Sequence, residues 1–275
     1  MNNMIKYILF FAFVFLVACN PEEERFGMGK SLTIDQLDIS AQPLVIDGKR
    51  SNKVVLENRS PILQSWDYGL SSTQKVRDTV LLVITGNTDI TFTGLNPDGT
   101  TISKVLTVNV EKLTFPVPPE YGLLCGTGTK EWVYDDTAPA VYGNGGYRND
   151  VAPAWWINPI NAMKEIDPIF GAGIMKFSIQ GGAFEKISGI NPSVKSVGRF
   201  SFDMSKVTYK EWEPEVVWAK GKLYTNGTNI LYGVDRNKGE TPVYEYDIIE
   251  LTENKMILAF RVENNGCWFW CFKAK

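Results

Sequence analysis

The chain has 275 residues, 44% of them hydrophobic and 21% charged, and a net charge of −3. That length accommodates two domains of ordinary size, and that charge supplies neither the basic field nucleic acid requires nor a polybasic patch for an anionic membrane surface. Histidine is absent, which excludes Ser-His-Asp, Cys-His and His-zinc chemistry and leaves carboxylates, tyrosine or lysine for any catalysis.

The first segment, MNNMIKYILFFAFVFLVACN, carries Lys6 and then an apolar run from Tyr7 to Ala18. The run is shorter than the about 20 residues of a membrane span and has the length of a signal peptide. It ends Leu16-Val17-Ala18-Cys19, which resembles the lipobox of bacterial lipoproteins. The resemblance implies removal of residues 1–18, acylation of Cys19 and attachment to a membrane through N-terminal lipid. Asn20-Pro21-Glu22-Glu23-Glu24 follows, and residues 19–30 read as a solvated acidic tether. The acidic cluster also resembles the surface-export signal of Bacteroidota-type lipoproteins, which implies the exterior face of the outer membrane.

Residues 31–113 alternate β-rich runs with turn signals. Asn52 to Glu57, Asp78 to Thr85, Asp89 to Thr93 and Thr101 to Val110 are enriched in Val, Ile, Thr and Leu, and Asn96-Pro97-Asp98-Gly99 marks a turn. This spacing predicts a small antiparallel sandwich of immunoglobulin type. Arg59 to Gly69, containing Trp66-Asp67-Tyr68-Gly69, together with Asp78-Thr79-Val80 and TGLNPDGTTISKVLTVNV, resembles the PKD-like domain of Bacteroidota surface lipoproteins. The resemblance implies a spacer domain in which Trp66 is interior. Residues 114–120, TFPVPPE, hold three prolines and read as a stiff linker that is neither central strand nor helix.

Residues 121–275 carry every tryptophan except Trp66. Strand candidates are Lys130 to Tyr134, Gly173 to Ile179, Val216 to Tyr224, Asn229 to Tyr232, Val243 to Leu251, Lys255 to Val262 and Gly266 to Phe272. No segment here sustains helical periodicity over three turns. The expected fold is a larger β-sandwich of jelly-roll type, with a lipocalin-like up-and-down barrel as the alternative. Trp268 and Trp270 share one face of the last strand and Cys267, Phe269 and Cys271 the other, so that strand is expected to be covered on both sides, or to have core on one side and a cleft floor on the other. Cys125, Cys267 and Cys271 are an odd set for an exported chain, so at least one is expected free or paired between chains. Cys267 and Cys271 stand about 13 Å apart along a strand, too far to bridge.

LLCGTGTKEWVYDDTAPAVYGNGG, VAPAWWINP, YEYDIIELTENKMILAF and GCWFWCFK together resemble the C-terminal module of PKD-containing lipoproteins beside outer-membrane polysaccharide importers. The resemblance implies a non-catalytic surface glycan-binding protein whose partners are a polysaccharide or oligosaccharide and the importer complex. The residue types agree, since an aromatic face matches the C–H face of a sugar ring and Asn, Asp or Arg meets its hydroxyls. Trp132, Tyr142, Tyr147, Trp155, Trp156, Asn144 and Asn158 are the expected carbohydrate-binding residues, with Gly143-Asn144-Gly145-Gly146 marking a long loop. Asp135, Asp136 and Asp150 lack a calcium-loop pattern, and neither a metal nor a cofactor is expected. Glu165-Ile166-Asp167 is similar to the E-x-D-x-x-E pattern of laminarinase-type glycosidases, but Phe170 stands where the second glutamate would be. A surface glycosidase or lyase using other carboxylates is the alternative function, and a structural or adhesion lipoprotein the third.

Overall fold

The computed structural model describes residues 29–275. The expected signal peptide, Cys19 and the acidic cluster lie outside the described residues. Strands make up 49% of the structure and helices 9%, so the chain is all-β. Among the described residues no helix is long and apolar enough to cross a membrane.

Seven strands form the first unit: β1 (Ile39–Ile46), β2 (Lys49–Asn58), β3 (Leu63–Asp67), β4 (Ser72–Thr73), β5 (Arg77–Leu81), β6 (Gly86–Leu95) and β7 (Thr101–Val110). They make two sheets, ordered β1-β2-β5 and β4-β3-β6-β7. Alternation places Val54 and Leu56 of β2, Ile90 and Phe92 of β6, and Val108 and Val110 of β7 in one shared core. Trp66 lies at its centre with no exposed surface and meets the Phe92 ring edge-on at 4.8 Å. The expectation that Trp66 is interior therefore holds. The Asn96-Pro97-Asp98-Gly99 turn joins β6 to β7, and Gly99 takes the positive φ of 83° that the turn needs.

The proline-rich segment is partly corrected. Phe115 is clamped by Asn52, whose amide donates to the Phe115 carbonyl at 3.0 Å and whose oxygen accepts from the Phe115 N–H at 2.9 Å. Pro119 and Glu120 then open helix α1 (Pro119–Cys125). Proline is tolerated in a first helical turn, where its missing N–H has no intrahelical partner to lose.

The remaining strands are β8 (Thr129–Tyr134), β9 (Tyr142–Gly146) and β10 (Trp156–Asn158), then β11 (Ile174–Ser178), β12 (Ala183–Ile187) and β13 (Lys195–Asp203). They continue with β14 (Thr208–Tyr209), β15 (Val217–Ala219), β16 (Lys222–Asn226), β17 (Val234–Asp235) and β18 (Thr241–Pro242), and end with β19 (Glu245–Leu251), β20 (Lys255–Arg261) and β21 (Gly266–Ala274). Helix α2 (Ile160–Ile166) lies between β10 and β11.

The jelly-roll expectation is corrected. The antiparallel order β21-β20-β19-β16-β13-β12-β11-β8 closes when β8 pairs with β21, giving an eight-stranded barrel, the up-and-down arrangement named as the alternative. β9 pairs with the other end of the same β21 edge, Trp270 opposite Tyr142 and Gly266 opposite Gly146. Thus β8 and β9 follow one another along one edge, interrupted by residues 135–141. The expected strand from Val216 to Tyr224 is two strands, β15 and β16, split at Gly221, where a Cβ would lie 2.9 Å from the Met204 Cα and 3.0 Å from the Asp203 carbonyl oxygen.

An eight-stranded barrel has an interior just wide enough for side chains to fill. Trp132, Tyr134, Phe177, Phe184, Phe200, Leu258, Trp270 and Phe272 fill this one. Leu124 and Cys125 of α1 plug the end where β8 begins. The expected strand Asn229 to Tyr232 is instead the plug of the opposite end, with Ile230 and Leu231 fully buried. Its carbonyls are satisfied by side chains and turn N–H groups and not by a ladder: Tyr134 donates to Leu231 O and Trp270 to Tyr232 O, each at 3.0 Å, and the Gly233 N–H donates to Ile230 O at 3.0 Å.

A second apolar layer covers the outside of β19 to β21, where Cys267, Phe269 and Cys271 pack against Trp218 and Ala219 of β15 with Tyr147. This is why both faces of the last strand are apolar. All three described cysteines are free and buried, and burial raises the Cys125 and Cys271 thiols to about 12.

The two units meet through Leu70 and Val83 of the first, which belong to the barrel's own core cluster. Gly69 adopts a φ of 97°, and a Cβ there would lie 3.0 Å from the Gly181 Cα. The Trp66-Asp67-Tyr68-Gly69 motif therefore serves two cores, Trp66 in one and the approach to the barrel at Gly69.

Candidate functional site

The aromatic segment sits at the barrel end opposite α1, where β8 finishes and β9 turns back toward β10. The glycine-rich stretch expected as a loop is strand β9, and its glycines admit a close neighbour. A methyl at Gly143 would overlap the Trp156 carbonyl, and one at Gly145 would lie 2.9 Å from an Asp150 oxygen and 3.0 Å from the Phe269 ring. Asn144 then fastens the segment. Its side-chain oxygen accepts from the Trp156 N–H at 2.9 Å, and its carbonyl from the N–H groups of Ala154 and Trp155 at 2.9 and 3.0 Å.

Trp155 is the most open of the expected aromatics, 62% exposed. Its indole edge lies against the paired glycines of β9 and β21, near enough that Cβ atoms at Gly146 and Gly266 would meet it at 3.4 and 3.5 Å. An indole held at its edge by bare backbone and otherwise 62% exposed leaves apolar ring surface free for a ligand. Trp156 is 39% exposed and packs edge-on against Tyr142 and Trp268, but the Arg236 guanidinium lies 4.9 Å from its ring centroid. That cation–π contact covers one face of Trp156.

The other expected residues are placed differently. Trp132 and Tyr142 have no exposed surface. Trp132 donates its indole N–H to Leu124 O at 2.8 Å, and Tyr142 stacks on Trp268 at 5.4 Å with its hydroxyl buried and unbonded. Both lack a face for a ligand, because strand alternation turns them inward. Asn158 is buried beside the Tyr142 carbonyl. Tyr147 is half-buried, edge-on to Trp218 at 5.0 Å and capped by Arg261 at 4.7 Å. Asn144 works as the fastener of the loop. The expected site thus contracts to Trp155 and Trp156.

Two open cavities lie on the same side of the barrel, lined by neighbouring segments and not by the tryptophans themselves. One, of about 630 Å³, is lined by Asp235, Lys238, Phe260, Arg261, Val262 and the hairpin Glu263 to Asn265. Val262 contacts Gly266, the residue against which Trp155 rests. The other, of about 470 Å³, shares Asp235, Lys238 and Phe260 and extends to Tyr224 and Tyr244. Volumes of this order are those of small-molecule sites. Asn264 and Asn265 both hold positive φ, 59° and 56°, as a two-residue hairpin turn requires. Their side chains are exposed beside the platform.

Charge on this rim is balanced. Lys238 pairs with Glu263 at 3.3 Å, Arg236 approaches Glu240 at 4.0 Å, and Arg261 lies on the Tyr147 ring. Asp235 is buried, accepting from the Trp268 indole at 3.2 Å and from the Asn237 N–H at 3.0 Å. Lys238, Glu263, Asn264 and Asn265 escaped the sequence reading, although the Glu263-Asn264-Asn265-Gly266 turn signal stands directly before the aromatic strand.

The carboxylates singled out as catalytic or metal-binding candidates are turn and pair formers. Asp135 accepts from the Thr137 N–H at 3.0 Å, Asp150 from the Gly146 N–H at 2.7 Å, and Asp136 pairs with Lys273. Glu165 and Ile166 end helix α2 and not a strand, and Asp167 caps the next turn by accepting from the Phe170 N–H at 2.9 Å. Among the described residues no cluster of three metal-ligating side chains occurs.

By its fold the chain belongs to the all-β proteins, with a filled barrel whose open rim is aromatic and polar. No protein-family model matches it, and no curated protein matches it either.

Proposed function

We propose that the protein is a non-catalytic, lipid-anchored surface protein that captures a polysaccharide or oligosaccharide through aromatic stacking and supports its uptake by an outer-membrane importer. The observation that carries this reading is Trp155, 62% exposed with its indole edge held against Gly146 of β9 and Gly266 of β21, the residue after the hairpin that lines a polar cavity. A hydrophobic platform ringed by amides and hydroxyl-compatible charges fits a sugar, whose ring needs one flat apolar contact and several hydrogen bonds.

In this reading Cys19 bears the lipid and the acidic tether carries the chain to the cell exterior. The first unit is a PKD-like, immunoglobulin-type spacer, a reading supported by its paired three- and four-stranded sheets and by the buried Trp66. The platform lies at the barrel end opposite α1, hence away from the linker that enters from the spacer. Because each rim cation meets a carboxylate or a ring, the ligand is a neutral glycan and not a polyanion.

Native gels containing amylopectin, xyloglucan, galactomannan, laminarin or chondroitin sulfate, run beside a reducing-end assay, test the reading. Retardation by a neutral polymer without release of reducing ends is expected. Release of reducing ends establishes an enzyme instead, and migration unaffected by every polymer overturns glycan capture.

A further inference from the structure

A cleft of about 330 Å³ lies where the two units meet, lined by Asp67, Gly69 and Ser71 of the first and by Arg199, Ser201, Tyr224 and Asn226 of the barrel. Its walls combine an aromatic ring with an amide, hydroxyls and a fixed ion pair. Arg199 donates Nε to the Gly181 carbonyl at 3.1 Å and pairs with Asp67 across the junction. Asp67 in turn accepts from the Gly69 N–H at 2.9 Å. Both charged groups are thus positioned before any ligand arrives, which spares the entropy of ordering them on binding.

The cleft shares walls with the rim cavities. Tyr224 and Thr225 line both it and the neighbouring cavity of about 470 Å³, which in turn shares Asp235, Lys238 and Phe260 with the cavity of about 630 Å³. Three cavities with shared walls therefore run from the Glu263 to Asn265 hairpin, which precedes the Gly266 that Trp155 rests against, down the side of the barrel to the first unit.

We propose that this junction cleft is a second subsite for a polyhydroxylated chain, occupied by further sugar units of the polymer held at Trp155. The inference rests on the glycan reading above and changes one part of it, because the first unit then contributes Asp67 directly to recognition and is more than a spacer. Tyr224 offers the ring contact, while Asn226, Ser201 and the Asp67 and Arg199 pair meet the hydroxyls. The paired charges again suit a neutral chain.

The test uses the neutral polysaccharide that retards the protein most in the gels, with Tyr224→Ala, Asn226→Ala and Asp67→Asn compared with the parent. Asn at position 67 keeps the acceptor for the Gly69 N–H while removing the charge, and all three side chains are solvent-accessible, so unchanged thermal unfolding is expected. Affinity for the polymer should fall about three- to tenfold in Tyr224→Ala, the effect of one aromatic contact, and measurably in the other two. Full affinity in all three variants overturns the junction subsite and leaves the rim reading intact. Migration of the parent unaffected by every polymer overturns both.

Discussion

Trp155 and Trp156 are adjacent in sequence and unequal in setting. The indole edge of Trp155 lies against backbone glycine and the residue stays 62% exposed, whereas one face of Trp156 already holds the Arg236 guanidinium. Trp155→Ala should therefore weaken glycan binding by about tenfold or more, some 1.4 kcal/mol, and Trp156→Ala by less, since Arg236 has to be displaced before a sugar can stack there. Equilibrium titration with the retarding polymer reads both, and equal losses would show that Arg236 is not a cover. Lys186 provides a second residue-level outcome. It is buried in the barrel, donating to Asn229 Oδ1 at 2.6 Å, and burial lowers its pKa from the ordinary 10.5 to about 8. Between these values the unfolded chain binds the proton that the folded chain has released, so this group makes stability rise with pH from about 8 to 10.5 and adds no slope below that window. Urea unfolding of the parent and of Lys186→Met across this range should show the rise reduced in the variant; parallel curves would mean that Lys186 is solvated.

At the scale of elements, β9 decides where the aromatic segment lies. Gly143→Ala places a methyl into the Trp156 carbonyl, so β10 has to move; a destabilisation of about 1–3 kcal/mol is expected, with weaker glycan binding. Gly128→Ala, where a Cβ meets nothing within 4 Å, should leave both unchanged, and chemical denaturation of the pair checks the contrast. Strand β9 was not legible in the sequence, because glycine carries no β-propensity and the residues that demand it, Asp150 and Trp156, are fixed only by the return of the chain. Strands with strong composition were legible, and Thr101 to Val110 is β7 residue for residue. Asn229 to Tyr232 has strand composition but is a plug, since its partners are side chains distant in sequence. Trp132 and Tyr142 misled for a related reason: aromatic content marks a core and a platform alike, and only register separates them.

At the scale of the whole molecule, the all-β class was legible but barrel closure was not. Alternating strands of similar length specify inward and outward faces; whether the sheet closes depends on β8 reaching β21 across the full length of the barrel chain. Closure fills the interior with aromatic side chains, so in the proposed function binding falls to the rim and the outer clefts. In the proposed function this rim holds a glycan at Trp155. A crystal structure of the protein with an oligosaccharide cut from the retarding polymer tests it most directly. A sugar ring stacked on the Trp155 indole is expected, with hydroxyls hydrogen-bonded to side chains of the Lys238 and Asn264 to Asn265 cavity. A sugar bound elsewhere, with Trp155 bare, for instance on the 80% exposed Trp212, would contradict it.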